Sequence, residues 1–300
     1  MANTISRGTL FTPQQTNEMF SKVRGKSSLA KLSGAEPIPF NGKDVFVFDL
    51  DKEAALVGEN EAKGNGGGAV TAVKMTPVKI EYGVRISDEF KYGAEELQLQ
   101  YLTVFADGFA KKVARALDIM AFHGINPRTG LSADVLTNKN FDDLVTQAVA
   151  YNQSTPDANV TTAIGLVEAN EHEVTGMAMS PIFKSALANL KKGSTSNEAM
   201  YPELGWGAAV GSINGLPVDS NSTVSFNSGD DRAIVGNFAD FFKWGFAKEV
   251  AIEVIEYGDP DNSGYDLKGQ NQIYLRGEAY IGWGILVPNA FARIAVNVSA

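Results

Sequence analysis

The sequence predicts an α+β fold, in which an extended β-hairpin is followed by one long helix and a strand-rich carboxyl-terminal region. Three observations support this fold class. Two β-branched and aromatic runs flank a glycine-rich segment between residues 45 and 90. Apolar residues then recur every three or four positions from residue 94 to residue 122. Beyond Asp230 the apolar runs are short, have no helical period and are separated by turn residues.

The hairpin is the most informative segment of the chain. Its first run covers residues 45–50, and its second, interpreted as one strand, alternates apolar and polar residues over residues 70–86. Residues 58–68 between them are charged and rich in glycine, which favours a mobile excursion. A two-stranded ribbon is only marginally stable alone in water, so we expect it to bind a neighbouring subunit. A disordered surface hairpin is the alternative.

Composition excludes several other classes of protein. A chain of 300 residues with 44% hydrophobic and 20% charged residues can bury a core in one elongated unit or in two domains. No apolar run is as long as a membrane span, and residues 1–8 lack the features of a signal peptide, so we expect the protein in cytoplasm or released from it. The absence of cysteine excludes disulfides and thiolate metal sites, and two histidines leave few ligands for zinc.

The acidic net charge argues against sequence-independent binding of nucleic acid. The formal net charge is −9 and the isoelectric point is near 4.9, whereas phosphate binding needs clustered lysine and arginine. One local basic group occurs near the amino terminus, and a solvated face is the favoured interpretation over a phosphate site. Its members are Lys22, Arg24, Lys26 and Lys31.

The first forty residues are predicted to form a tether. Residues 1–10 have weak periodicity and suggest a flexible arm, and a short helix follows, capped by Thr12 with Pro13 in its first turn. The helix predicted next, over residues 94–122, would be about 40 Å long at 1.5 Å per residue, which suits a structural spine.

The remaining elements follow from caps and turn residues. Asn140 or Asp142 can start a helix that continues to Tyr151, and a further helix is predicted over residues 163–171. A buried strand at residues 176–179 leads to Ser180 and Pro181, a cap and first-turn proline for a helix ending at residue 192. Further strands are predicted at residues 215–218, 233–235, 241–244, 250–255, 273–279 and 281–287, the later ones forming an antiparallel ribbon.

The motifs that carry chemistry are weak. The glycines of the hairpin tip, together with Ala69, match the residue spacing of a dinucleotide-binding motif. That motif must open a helix, whereas a strand with Pro77 follows here. The Gly25-Lys26-Ser27 sequence lacks the glycine that a phosphate-binding loop needs at position 20. The turn that begins Asp259-Pro260-Asp261 starts like a calcium loop, but Gln270 stands at its twelfth position, so an ordinary turn is expected.

No catalytic, cofactor or metal residue is predicted. The serine of residues 211–215 directly follows a glycine, so the spacing of a nucleophile elbow is absent. His172, between two glutamates, is expected to be solvated at a helix end, and His123 is expected to end the long helix.

The order of these elements resembles the major capsid proteins of tailed bacteriophages, which have the Hong Kong 97-type fold. Each matching span is weak alone, and their shared order over nearly the whole chain carries the resemblance. The spans are residues 11–13 (Phe-Thr-Pro) through 27–30 (Ser-Ser-Leu-Ala), 54–59 (Ala-Ala-Leu-Val-Gly-Glu), 176–181 (Gly-Met-Ala-Met-Ser-Pro), 215–218 (Gly-Leu-Pro-Val) and 233–238 (Ala-Ile-Val-Gly-Asn-Phe).

The resemblance implies a division of the chain and its contacts. The segments are an N-terminal arm (1–35), an extension loop (36–86), a peripheral domain with the spine helix (87–135), an axial domain (136–229) and a second peripheral segment (230–300). The extension loop would lie across an adjacent subunit while the arm reaches under another. The implied contacts are Phe11, Pro13, Met19 and Phe20 in the arm, and Glu59, Glu61, Lys63, Gly64, Gly66, Gly67 and Gly68 in the tip.

The resemblance also implies partners. Pentamers and hexamers of this chain would form an icosahedral shell in the virion, assembled in the host cytoplasm and enclosing double-stranded DNA without sequence-specific binding. A separate scaffolding protein and a portal are implied, and no membrane. Lys63 and Lys74 occupy places where some relatives form a covalent crosslink, but no motif identifies them as reactive. The alternatives are an encapsulin shell, a phage decoration or tail component, and a soluble α+β enzyme with a glycine-rich lid.

Overall fold

The computed structural model describes residues 26–50, 52–93, 95–193, 195–206 and 210–298. Four predicted arm contacts, Phe11, Pro13, Met19 and Phe20, lie outside these ranges together with the helix expected to begin at Pro13. No helix in the described part of the chain is both long and apolar enough to cross a membrane. The helices are α1 (Ser28–Leu32), α2 (Glu95–His123), α3 (Phe141–Leu144), α4 (Pro156–Glu168), α5 (Pro181–Ala188) and α6 (Phe238–Phe241).

The strands of the described residues form three sheets. Strands β1 and β2 make a two-stranded ribbon, β3–β10–β9 an antiparallel sheet, and β4–β11–β8–β5–β7–β6 a mixed sheet with parallel pairs β4–β11 and β5–β7. Their bounds are β1 (Lys43–Leu50), β2 (Gly68–Met75), β3 (Val78–Ser87), β4 (Ala148–Ala150), β5 (Gly176–Met179), β6 (Ser212–Ile213), β7 (Leu216–Ser220), β8 (Asp231–Gly236), β9 (Phe242–Ile255), β10 (Gln272–Ile285) and β11 (Phe291–Ala295).

The interpretation of residues 70–86 as one strand is wrong. The ribbon strand β2 ends at Met75, and the chain resumes as β3 at Val78, which pairs with β10 instead of β1. Pro77 lies at the break, where a residue without a backbone N–H cannot continue a ladder. Apolar and polar residues alternate on both sides of the proline. The sequence pattern alone therefore does not distinguish one long strand from two strands in different sheets.

The long helix is the best-predicted element. Expected over residues 94–122, it is observed as Glu95–His123 and packs across the three-stranded sheet. The crossing is close because Gly277 of β10 lies beneath Phe109: a Cβ atom at Gly277 would be 2.9 Å from the Phe109 ring. At 1% exposure, Phe109 belongs to the core that the helix shares with the sheet.

A second core lies on the other side of the six-stranded sheet. Met177 and Met179 of β5 belong to this core with helices α4 and α5, while Ala178 between them belongs to the first core. This alternation is the period of a strand that is buried on both faces. The strand occupies the predicted residues, and Ser180 caps α5 by accepting a hydrogen bond from the N–H of Phe183.

Several predicted boundaries differ for reasons of tertiary pairing. Asn140 caps α3 as expected, but the helix lasts one turn, because residues 148–150 pair with β11. Helix α5 ends at Ala188 instead of residue 192, because Lys192 donates its N–H to the carbonyl of Glu198. The helix expected over residues 163–171 is Pro156–Glu168. The strands predicted at 241–244 and 250–255 form the single strand β9, and those predicted at 273–279 and 281–287 form β10. These two strands make the expected antiparallel ribbon. Helix α6 interrupts a region that was predicted to contain only strands.

We expect Gly277→Ala to destabilise the folded chain by about 1–3 kcal/mol, because the Phe109 ring must shift to admit a methyl group. The matched control is Gly108→Ala on α2, where nothing lies within 4 Å of the added carbon. This control should raise stability by up to about 1 kcal/mol, since alanine favours the helix. Urea unfolding followed by circular dichroism measures both, and equal effects of the two variants would contradict the close crossing.

Candidate intersubunit interface

One face of the β1–β2 ribbon is apolar and exposed. The register places Phe46 opposite Ala72 and Phe48 opposite Val70, and directly opposed side chains point to the same face. The exposed fractions are 63% for Phe46, 72% for Phe48 and 76% for Leu50. Because an isolated two-stranded ribbon is marginal in water, an aromatic face this open requires cover from outside the described chain.

The tip of the ribbon carries the predicted contact residues, and the structure leaves all seven exposed. They are Glu59, Glu61, Lys63, Gly64, Gly66, Gly67 and Gly68. The tip is closed by local hydrogen bonds: the N–H of Gly58 donates to Glu61 at 3.1 Å, and Lys52 Nζ donates to the carbonyl of Asn65 at 3.1 Å. Leu56, which was not among the predicted contacts, is 100% exposed.

The root of the ribbon is fixed to the body of the molecule. Met75 is fully buried against Gly284 of β10, where a Cβ atom would be 2.8 Å from the Met75 side chain. Lys43 at the other strand's root pairs with Glu36 at 2.6 Å. The N–H of Glu36 in turn donates to the carbonyl of Trp244 in β9 at 2.8 Å. The ribbon is therefore fixed to the body at one end, while most of its other side chains are exposed to solvent.

A buried carboxylate, Asp118 of α2, anchors the segment that connects to the N-terminal arm. Its side chain is fully buried and accepts hydrogen bonds from two segments that are far apart in the sequence. The donors are Ser27 Oγ (2.5 Å), the N–H groups of Ser28 (3.0 Å) and Leu29 (3.3 Å), Asn221 Nδ2 (3.2 Å) and Thr223 Oγ1 (2.9 Å). One carboxylate thus satisfies the first N–H groups of α1 and holds the turn after β7.

A second carboxylate completes this anchor. Asp219 at the end of β7 accepts a hydrogen bond from Ser28 Oγ at 2.5 Å and forms an ion pair with Lys31 Nζ, also at 2.5 Å. Lys31 was counted with the basic group near the amino terminus, and the structure gives it this partner. Burial raises the pKa of Asp118 from its ordinary value of 3.8 to about 6, against the opposing effect of its hydrogen bonds.

A charged cluster joins the end of α2 to the six-stranded sheet. His123 donates from Nε2 to the carbonyl of Thr223 at 3.0 Å, while its Nδ1 lies 2.9 Å from Asp142. Arg293 of β11 contacts both Asp142 and Asp231 at 2.9 Å. His123 ends the helix as predicted, but its side chain is only 4% exposed, so it is a structural residue of the interior.

The electrostatics of this cluster follow from burial and pairing. Burial alone would lower the pKa of His123, but the hydrogen bond to Asp142 raises it overall. The same hydrogen bond, against burial, holds the pKa of Asp142 below its usual value. Burial raises the pKa of Asp231 to about 7, with Arg293 opposing the rise. Ligand atoms of His123, Asp142 and Asp231 lie within 4.8 Å of one another, as in a metal site, but Arg293 already supplies the positive charge there.

The turn that resembles a calcium loop is closed by an arginine. Arg85 of β3 binds Asp259 and Asp261 at 2.6 Å and donates to the carbonyl of Tyr265 at 3.0 Å. The hydrogen bond to Arg85 lowers the pKa of Asp261 to about 2. The guanidinium therefore occupies the position that a cation would take, in agreement with the expected ordinary turn.

The fold and these surfaces define a structural subunit: a body with an internally anchored core, from which a ribbon with an exposed apolar face extends. The comparisons with known proteins agree with that class. The family model for the phage capsid family matches residues 8–296. No curated protein sequence matches the chain.

Solved structures with the same fold come from phages and related particles. A structure from Mycobacterium phage Ogopogo is 31% identical, with a TM-score of 0.76 over 90% of this chain and 92% of that one. One from Gordonia phage Cozz is 22% identical, with a TM-score of 0.72 over 91% and 87%. The capsid of an empty GTA particle, computed with C5 symmetry, is 13% identical, with a TM-score of 0.63 over 90% and 89%.

The chain belongs to the phage capsid family. Its function is that of a major capsid protein, a structural component of the icosahedral shell of the virion. The resemblance inferred from the order of the elements is thereby confirmed, together with the α+β capsid fold.

We expect Asp118→Asn to show how burial affects this carboxylate. A folded-state pKa of about 6 against 3.8 in the unfolded chain means that the folded protein binds the proton more tightly. The stabilisation from Asp118 is therefore complete below pH 4 and is lost as pH rises to 6, by about 3 kcal/mol. The deficit of Asp118→Asn relative to wild type should shrink by this amount between pH 4 and pH 7.

Urea unfolding of the unassembled subunit at several pH values measures this difference. Asp134→Asn, which removes an exposed carboxylate, is the control and should follow the wild-type profile. A deficit for Asp118→Asn that stays constant or grows with pH would show that hydrogen bonding outweighs burial at this site.

Proposed function

We propose that this capsid protein assembles as pentamers and hexamers, and that the β1–β2 ribbon of each subunit lies across a neighbouring one. The observation that carries the proposal is the bare apolar face formed by Phe46, Phe48 and Leu50. Burying each of these side chains contributes about 1.5–3 kcal/mol, and every copy in a ring would gain it.

The division of labour within the subunit supports this arrangement. The proposed extension loop (36–86) includes the ribbon, and the proposed axial domain (136–229) includes strands β4 to β7 of the six-stranded sheet. Strands β8 and β11, from the proposed second peripheral segment (230–300), complete that sheet. The arm (1–35) would reach under a neighbour from the point where Asp118 holds α1.

The proposed contents and partners follow from the charge and the family. The shell encloses double-stranded DNA and confines it without sequence-specific binding, since a chain with a net charge of −9 has no need to adhere to the genome. Assembly takes place in the host cytoplasm with a separate scaffolding protein and a portal. The role is structural, and we propose no enzymatic activity.

Expression of the intact chain, followed by size-exclusion chromatography and negative-stain electron microscopy, tests the proposal. Closed shells or five- and six-membered rings are the expected products. If only monomers form, coexpression with a scaffolding protein is the next step. Monomers in the presence of that protein as well would overturn the proposal.

We expect deletion of residues 59–68 to leave a folded subunit that does not form normal shells, because the tip contributes nothing to the buried cores. Circular dichroism and thermal unfolding should match wild type, while electron microscopy should show few or no closed particles. Normal shells from the deletion variant would refute a role for the tip.

The ribbon face can be tested separately with a single charge. Phe48→Asp should block assembly while leaving the subunit folded, because Phe48 is 72% exposed in the free chain. Ile182→Asp is the matched control, since Ile182 is also exposed, at 56%, but belongs to helix α5 and not to the ribbon. Equal loss of shells in both variants would remove the ribbon face from the interface.

A further inference from the structure

Three Asn-Gly sequences occur in this chain, at residues 41–42, 65–66 and 214–215. An asparagine followed by glycine is prone to lose its side-chain amide, because glycine has no Cβ atom to hinder attack by its own backbone nitrogen. The reaction needs a backbone that can move and a nitrogen that is not held in a hydrogen bond. The fold gives the three sequences different surroundings.

Two of the three sequences lie in fixed turns. The N–H of Gly42 donates to the carbonyl of Pro39 at 2.9 Å, so its nitrogen is already engaged. Asn214 and Gly215 have positive φ angles of 49° and 88° and form the two-residue turn between β6 and β7. Such angles are typical of a type I′ turn, which the paired strands on either side hold in place. Neither turn leaves the glycine nitrogen free to move towards the preceding side chain.

The Asn65-Gly66 sequence in the ribbon tip has no such restraint. Residues 61–67 belong to no helix or strand, and both Asn65 and Gly66 are exposed. Apart from the chain neighbours, nothing lies within 4 Å of a Cβ atom placed on Gly66. Among the described residues, no hydrogen bond engages the N–H of Gly66. The nitrogen of Gly66 can therefore approach the side-chain carbon of Asn65.

A lysine contacts the peptide group that must react. Lys52 Nζ donates a hydrogen bond of 3.1 Å to the carbonyl oxygen of Asn65, and this oxygen belongs to the same peptide group as the Gly66 nitrogen. Loss of the N–H proton spreads negative charge over that nitrogen and that oxygen. An ammonium group on the oxygen stabilises the resulting anion, as the donors of an oxyanion hole do.

We propose that Asn65 is a site of spontaneous deamidation, and that Lys52 accelerates the reaction by stabilising the deprotonated peptide group between Asn65 and Gly66. Hydroxide removes the proton from the Gly66 nitrogen, which then attacks Cγ of Asn65. A bond forms between these two atoms and the bond from Cγ to Nδ2 breaks. The leaving nitrogen takes a proton from water and departs as ammonia, which regenerates hydroxide. Water then opens the succinimide ring at either carbonyl and gives aspartate or isoaspartate.

The reaction changes the tip in two ways. Either product adds a negative charge to a segment that already carries Glu59 and Glu61, and isoaspartate also adds a methylene group to the backbone. The chemistry needs only one chain. It therefore does not depend on capsid assembly, although it alters a segment that we propose to contact a neighbouring subunit.

Peptide mapping of the unassembled subunit by mass spectrometry tests the site. After incubation at mildly alkaline pH, we expect Asn65 to be converted at least about tenfold faster than Asn41 or Asn214, because the two fixed turns must first open. Methylation by isoaspartyl methyltransferase identifies the isoaspartate product. Equal rates at the three sequences, or no conversion of Asn65, would overturn the site.

Substitution of Lys52 separates an electrostatic role from a structural one. Lys52→Met should slow the conversion of Asn65 about threefold, a modest effect because water screens an exposed contact, and Lys52→Arg should restore most of the rate. Loss of a contact that only restrains the tip would have the opposite sign, because a looser tip reacts faster.

The matched control is Lys63→Met, which removes an equal charge from another exposed position of the same tip. This variant should convert Asn65 at the wild-type rate. A rate for Lys52→Met that equals or exceeds that of wild type, or an equal slowing by Lys63→Met, would overturn the role of Lys52.

Discussion

The exposed apolar face of the β1–β2 ribbon is the constraint that the rest of this molecule must accommodate. A two-stranded ribbon that leaves Phe46, Phe48 and Leu50 exposed to water is only marginally stable by itself. It persists as a strand pair because its root is fixed by Met75 under β10 and by the Glu36–Lys43 ion pair. The subunit thus places its least stable surface where another subunit can complete it.

The body of the subunit is organised in the opposite way, with its polar groups satisfied internally. The Asp118 carboxylate takes five hydrogen bonds that join α1, α2 and the turn after β7. The His123 cluster joins α2 to the six-stranded sheet through Arg293. Breaking either cluster would leave a buried charge unpaired, which is why such contacts make a rigid body. Rigidity matters in a shell, because small errors at each contact add up around a closed ring.

The sequence predicts what is local and loses what depends on distant pairing. The period of α2 and the cap at Ser180 define these elements because their causes lie within a few residues. Residues 148–150 become a strand only because β11, more than 140 residues later, lies beside them. Asp118, Asp142 and Arg293 have no local signature, since their partners are 19 to 151 residues away in the sequence. The apolar cavity between β3 and α2 also has no signal in the sequence, because β3, α2 and the loop that follows α2 form it together. The ribbon tip could be predicted because glycine and charge are read directly from its sequence.

A net charge of −9 on every copy makes assembly a balance of opposing effects. Bringing like-charged subunits together costs electrostatic free energy, and without cysteine no disulfide can offset it. In the assembly that we propose, burial of the apolar face of the ribbon supplies the attraction that opposes this repulsion.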